Sequence, residues 1–204
     1  MTKLNLSEKL SESFYQRDAV VVAKELLGKI FVRKHNNKYL TAKIVETEAY
    51  KQLNDEAAHS YNGKTLRNSV MFENGGKLYV YFTYGKHFCA NVVTGKENSG
   101  DAVLLRAFEP LNNLETLAEF RFNKSDLSEK EKINLCNGPA KLCQSFNILR
   151  SDNGKDFFGD EFFILNQKKL NDSEIVVSER IGIKKSVNLP WRFYIKDNPY
   201  ISKK

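Results

Sequence analysis

Apolar and polar residues change rhythm several times along the chain, and each change marks an element. Residues 1–17 are polar and are expected to form a loosely attached tail. Asp18 then has the chemistry of a helix N-cap, Val21, Val22, Leu26 and Leu27 follow at helical spacing, and Gly28 stands where a terminating glycine belongs. Residues 30–34 and 39–48 read as two strands of a hairpin about the turn His35-Asn36-Asn37-Lys38. In the second strand Leu40, Ala42 and Ile44 share one face and Thr41, Lys43 and Thr47 the other, with Val45 the main exception. Continued two residues at a time, the apolar face runs into Glu46 and Glu48. A carboxylate on a core face is costly unless it is paired, hydrogen-bonded or chemically engaged.

Further strands are expected at 78–84, 88–94 and 102–108, then at 161–165, 175–178 and 192–195. Residues 55–60 have the make-up of a single helical turn. Asn112 with Glu115 forms a capping-box pattern for a helix ending near 122, Ser128 with Glu131 forms another, and Pro139 opens a short helix over 140–146. Clustered strands with helices at intervals indicate an α+β fold, with a curved, mostly antiparallel sheet forming a partial barrel and helices around it. The expected organisation is the tail, 1–17, and one domain, 18–204.

With 204 residues, 41% of them hydrophobic, the chain can build one sizeable core. No apolar run is long enough to span a membrane and the start lacks the apolar core of a signal peptide, so the expectation is a soluble, cytoplasmic protein, on the nucleoid in a bacterium. Cys89, Cys136 and Cys143 are odd in number and lack zinc-like spacing, which argues against a disulfide framework or a structural metal. Thirty-two Lys and Arg against 25 Asp and Glu leave a net charge of +7, which favours a polyanionic partner. Aromatic residues at 12% make stacking on bases a plausible use of that surface.

Candidate chemistry gathers at three places. Glu46, Glu48, Asp55, Glu56 and His59 crowd after the second strand, where a divalent metal site, a general base and a merely solvated strand end all compete. No His-x-x-His or Glu-x-x-His spacing supports the metal, so Glu48 reads better as the base for hydrolysis at a neutral sugar carbon. Tyr79 and Tyr81 share a strand face, and Tyr84 stands at a strand tip before Gly85, suited to wedging into a base stack. Asn91 and Arg106 are single polar residues within apolar runs, which require partners or a task.

Longer motifs sharpen these readings. Ile44-Val45-Glu46-Thr47-Glu48-Ala49-Tyr50, Asp55-Glu56-Ala57-Ala58-His59-Ser60, Leu78-Tyr79-Val80-Tyr81, Tyr84-Gly85, Val103-Leu104-Leu105-Arg106-Ala107, Gly138-Pro139, Arg180-Ile181-Gly182 and Arg192-Phe193-Tyr194 occur in one order from about residue 18 onward. In them the chain closely resembles the alkyladenine (3-methyladenine, methylpurine) DNA glycosylase family. The resemblance implies excision of damaged purines, such as 3-methyladenine, 7-methylguanine, hypoxanthine or ethenoadenine, from double-stranded DNA, without metal or cofactor. It implies that Glu48 activates the water, that Arg106 steadies that water and the target phosphate, and that Tyr50, His59 and Tyr81 hold the flipped base. Asn91 would reject undamaged guanine, Leu104 would line the pocket, and Tyr84 would fill the gap left in the duplex. None of these catalytic positions is a lysine, so a monofunctional enzyme is expected. A monomer is expected too, and the rival reading is a non-catalytic binder of damaged DNA on the same scaffold. The segment Tyr61-Asn62-Gly63-Lys64 is shorter and less arginine-rich than the family pattern.

Overall fold

The computed structural model describes residues 8–83, 85 and 87–203. Asp18 caps the second helix as expected: its carboxylate accepts hydrogen bonds from the Val20 and Val21 amides, α2 runs Ala19–Leu26, and Gly28 follows at φ 81°. The preceding stretch corrects the expectation of a loose tail for the residues described. A one-turn helix α1 (Glu12–Tyr15) delivers Tyr15, fully buried, into the main core against Phe157. The Leu10 amide donates to the Ile164 carbonyl, and the Tyr15 carbonyl accepts from Gly95. That carbonyl also presses on Gly75, where an added Cβ would stand 2.5 Å from it, so only glycine fits there.

The sheet comprises β1 (Ile30–His35), β2 (Lys38–Tyr50), β3 (Leu78–Thr83), β4 (His87–Thr94), β5 (Asp101–Pro110), β6 (Phe162–Leu165), β7 (Ile175–Ser178) and β8 (Arg192–Ile195). All pairings are antiparallel, in the order β3-β4-β5-β2-β1-β6, with β8 on β2 and β7 on β8. Helices α3 (Leu114–Phe122), α4 (Glu129–Asn134) and α5 (Pro139–Ser145) complete the set of five α-helices among the described residues. The fold is therefore α+β with a curled antiparallel sheet, as the pattern of elements predicts. β2 is central because it forks: Lys38 to Lys43 pair with β1, and Glu46 to Glu48 pair with β8, while β5 follows the other edge.

One sheet face packs on α2, α3 and α5. Leu78, Val80, Ala90, Val92, Val103 and Leu105 point into that core, and the residues between them, Tyr79, Tyr81, Asn91 and Leu104, point to the opposite face. Each fully buried large apolar side chain contributes roughly 1.5–3 kcal/mol, which holds the strands flat against the helices. No helix among the described residues is long and apolar enough to cross a membrane.

Two local expectations change. Ser128 and Glu131 do form the capping box of α4, but Asn112 does not cap α3. Its side chain instead accepts from the Thr41 amide and donates to the Tyr39 carbonyl, tying the helix entry to β2, while Asn113 occupies the N-cap at φ 48°. Residues 55–60 form successive tight turns rather than a helical turn.

Candidate active site

The site begins at two irregularities in the β2–β5 pairing. Ile44 faces Phe108, Glu46 faces Ala107 and Thr47 faces Leu105, so Val45 on one strand and Arg106 on the other are each an extra residue. Before the bulge Leu40, Ala42 and Ile44 lie in the core; after it Ala49 does, and Thr47 turns inward to donate to the Ala23 carbonyl at 2.8 Å. Glu46, Glu48 and Tyr50 are thereby rotated to the far face. The expectation that the apolar face runs on into the glutamates is overturned, and Val45, the exception to the alternation, is the physical reason.

Glu48 is completely buried yet not in an apolar socket. Its Oε2 accepts from the Tyr50 hydroxyl at 2.9 Å and lies 3.2 Å from an Arg106 terminal nitrogen; its Oε1 accepts from the Ile181 amide at 2.7 Å. With a single donor on it, against two on Oε2, Oε1 keeps acceptor capacity for a further donor. Burial, followed by the charge of Glu48 and its hydrogen bond, holds the Tyr50 phenol well above its ordinary pKa, so it remains a donor.

Beside this group lies a cavity of about 400 Å³, in the size range of small-molecule sites, whose lining includes Tyr50, His59, Tyr81, Asn91, Leu104 and Arg106. His59 and Tyr81 meet edge to face at 4.5 Å, and His59 Nδ1 is 3.1 Å from the Tyr79 hydroxyl. Burial, and secondarily Arg67, lowers the His59 pKa, so the imidazole is neutral at neutral pH. Burial raises the Tyr81 pKa, with Cys89 a smaller cause. Asn91 Nδ2 donates to the Tyr79 carbonyl at 3.1 Å, and this bond fixes which way its amide faces the cavity. Six of the residues singled out in the sequence thus line one cavity, with Glu48 bonded to two of them; the wedge candidate Tyr84 lies outside the described residues.

The acidic cluster weighed as a metal site disperses. Asp55, fully buried, is held bidentately by Arg180 at 2.6 and 2.7 Å, while Glu46 is bound by Arg106 and Arg192. Among the described residues no group of three His, Cys, Asp or Glu side chains is arranged to hold a metal ion.

Against this geometry the comparisons with known proteins are direct. The family model for methylpurine-DNA glycosylase (MPG) matches residues 13–199. The chain belongs to this family. It is 47% identical to a protein named "Putative 3-methyladenine DNA glycosylase" from Clostridium beijerinckii over 201 residues, 96% of this chain and 99% of the relative. Proteins of the same name from Alkaliphilus oremlandii and Francisella tularensis are each 46% identical, over 96% and 95% of this chain. The protein is thus a DNA glycosylase, a hydrolase of N-glycosyl bonds.

Several parts of this candidate site carry no signal in spacing alone. Arg180 is sandwiched by the rings of Tyr50 at 4.5 Å and Trp191 at 5.3 Å, and its pairing with Asp55 locks the segment that presents the Ile181 amide to Glu48. Ile181, Gly182 and Ile183 line the cavity. The motif Arg180-Ile181-Gly182 stood out in the sequence, but a backbone amide as the functional group leaves no mark in residue type. Cys89 also lines the cavity, directly across from Tyr81 in the strand register.

Proposed function

We propose that this glycosylase flips an alkylated or deaminated purine out of duplex DNA into the cavity and hydrolyses its N-glycosidic bond with a water activated by Glu48. The observation that carries this reading is the state of Glu48, a buried carboxylate held by three donors that all line the cavity, Tyr50, Arg106 and the Ile181 amide, with acceptor capacity left on Oε1. The water's proton passes to Glu48 as its oxygen bonds to the sugar C1′. The C1′–N bond breaks, its electron pair leaves with the purine, and the sugar keeps a hydroxyl, giving an abasic site. A purine alkylated on a ring nitrogen carries positive charge and leaves as a neutral base with little assistance, while a neutral deaminated purine leaves as an anion that takes a proton from solvent. The ring faces of Tyr81 and Tyr50 are suited to stacking, each worth roughly 0.5–2 kcal/mol for a cationic base.

Asn91, fixed by the Tyr79 carbonyl, is the candidate for excluding the 2-amino group of guanine, and Leu104 the apolar floor. Arg106, which lines the cavity and pairs with Glu48, is the candidate for holding the water and the target phosphate. Among the described residues no lysine lines the cavity, which supports a monofunctional enzyme, since Schiff-base strand cleavage requires an amine. Flipping costs a few kcal/mol and least at a damaged pair, which provides selectivity before chemistry. Sequence-independent affinity follows from the surplus of Lys and Arg over Asp and Glu. A monomer acting on cytoplasmic DNA satisfies every part of this reading.

The test is Glu48→Gln, assayed on four duplexes carrying 3-methyladenine, 7-methylguanine, hypoxanthine or ethenoadenine. The variant is expected to bind lesion duplexes and lose at least 100-fold in base release, the scale of general-base catalysis. Release at the wild-type rate removes Glu48 from the mechanism; binding without release by the wild-type protein converts the reading into that of a lesion binder.

A further inference from the structure

Glu46 stands two residues from Glu48 and is equally buried, but whereas the three donors to Glu48 all line the cavity, the partners of Glu46 other than Arg106 do not. It accepts four hydrogen bonds. Oε1 receives Arg106 Nε at 3.2 Å, Arg192 Nε at 2.7 Å and the Ser202 hydroxyl at 2.9 Å, and Oε2 receives the Ser202 amide at 2.6 Å. Two positive guanidinium groups on one carboxylate exceed what its burial alone requires, and both arginines are themselves over 90% buried.

The bonds of Arg106 divide the labour. Its Nε goes to Glu46, one terminal nitrogen donates to the Ser202 hydroxyl at 3.3 Å, and the other reaches Glu48 at 3.2 Å. Ser202 satisfies both neighbours at once, because a hydroxyl donates its single proton to Glu46 and accepts from Arg106 on a lone pair. The segment carrying Ser202 is held in turn, since Arg192 donates to the Lys203 carbonyl and Ile201 is buried. Two of the three arms of Arg106 are therefore fixed by groups that touch nothing in the cavity, which leaves its last arm a single direction.

We infer that Ser202, together with Glu46, is a positioning residue for the glycosidic reaction: the chain segment 201–203 folds back over the β2 bulge and aims the Arg106 guanidinium at Glu48. The inference rests on the reading of Glu48 as the water-activating base. Without Ser202 the guanidinium keeps its charge and its bond to Glu46 but loses one of its two anchors, and the geometry that matters most in the transition state loosens.

Single-turnover base release with enzyme in excess separates chemistry from binding. On whichever of the four lesion duplexes the wild-type protein processes, Ser202→Ala is expected to release base about tenfold more slowly, the loss of one hydrogen bond to a charged group. Its duplex affinity should stay within about twofold and its melting temperature within a few degrees, because Ser202 lies outside the apolar core. Ser202→Thr, which retains the hydroxyl, should restore most of the rate. A distinct Arg106 Nε–H resonance should be present in the wild-type and Thr proteins and exchange-broadened in the Ala variant.

A wild-type rate for Ser202→Ala overturns the inference, as does a rate loss matched by an equal loss of affinity or by a collapse in melting temperature that Thr fails to rescue. Glu48→Gln separates the two levels. If it still releases base, the reading of Glu48 has failed; if it is inactive while Ser202→Ala is unchanged, only the positioning role has.

Discussion

The two halves of β2 lie on one continuous strand and obey opposite rules. From Leu40 to Ile44 the alternating residues feed the main core and stabilise the fold. From Glu46 to Tyr50 the same strand turns carboxylates and a phenol to the other face, where each carboxylate is held by named donors, the phenol being one of those on Glu48. Both halves are buried to a similar degree, so burial does not distinguish them; the hydrogen-bonding partners do. One inserted residue, Val45, turns a strand that feeds the core into one that presents its carboxylates to the far face, and the extra residue on β5, Arg106, supplies a cation that pairs with them.

The severest way to break the comparison is to delete Val45. With alternation restored, Glu46 and Glu48 would turn toward α2 and the core, away from Arg106, Arg192 and the Ile181 amide. Each buried carboxylate stripped of its partners costs several kcal/mol, comparable with the whole stability of a domain this size. The deletion protein is expected not to fold, as measured by far-ultraviolet circular dichroism and thermal melting. A folded, active deletion protein would show that the bulge is not what separates the halves.

A gentler pair of changes sets one half against the other. Ile44→Ala removes a fully buried side chain from the core and should lower stability by about 2–5 kcal/mol, while the folded fraction releases base at the wild-type rate. Tyr50→Phe removes only the hydroxyl bonded to Glu48 and should cost no more than about 1.5 kcal/mol in stability but about tenfold in rate. Denaturant titration alongside single-turnover kinetics on the same samples checks both. If the two variants lose stability and rate in the same proportion, the division of the strand is wrong.

How far the sequence discloses this division is clear from particular residues. Asp18, Ser128 with Glu131, Pro139 and the alternation of the later strands fix most elements, because caps and periodicity are local. The six expected site residues that line the cavity come from four strands and one loop, so no local spacing joins them, and the resemblance to a family is what names them as one set. Three things stayed hidden for different reasons. Tyr15 belongs to a stretch too polar to suggest a core anchor, and its burial depends on Phe157, more than a hundred residues away. Asn112 matched a capping pattern but bonds across to β2, where tertiary partners outcompeted the local one. The register shift at Val45 was visible as a break in alternation, yet a break alone does not say which side of it returns to the core.

The mildest prediction concerns the electrostatics of the site face. Unlike Glu46, Glu48 and Asp55, whose charges are matched by arginines, His59 meets no carboxylate among the described residues; its ring contacts Tyr79 and Tyr81, and the charge that influences it is Arg67. Burial and, to a lesser extent, Arg67 both disfavour the imidazolium, so the ring should titrate below the ordinary histidine value of about 6.5. With only three histidines in the chain, the His59 ring protons can be assigned by substituting His35 and His87 in turn and followed by NMR. Replacing Arg67 with Ala should move the midpoint up, but only part of the way, because burial is the larger cause. A wild-type midpoint at or above the ordinary value would mean that a negative group compensates His59 after all. A low midpoint, by contrast, leaves a neutral ring beside the cavity, which spares a cationic purine the repulsion that an imidazolium would impose.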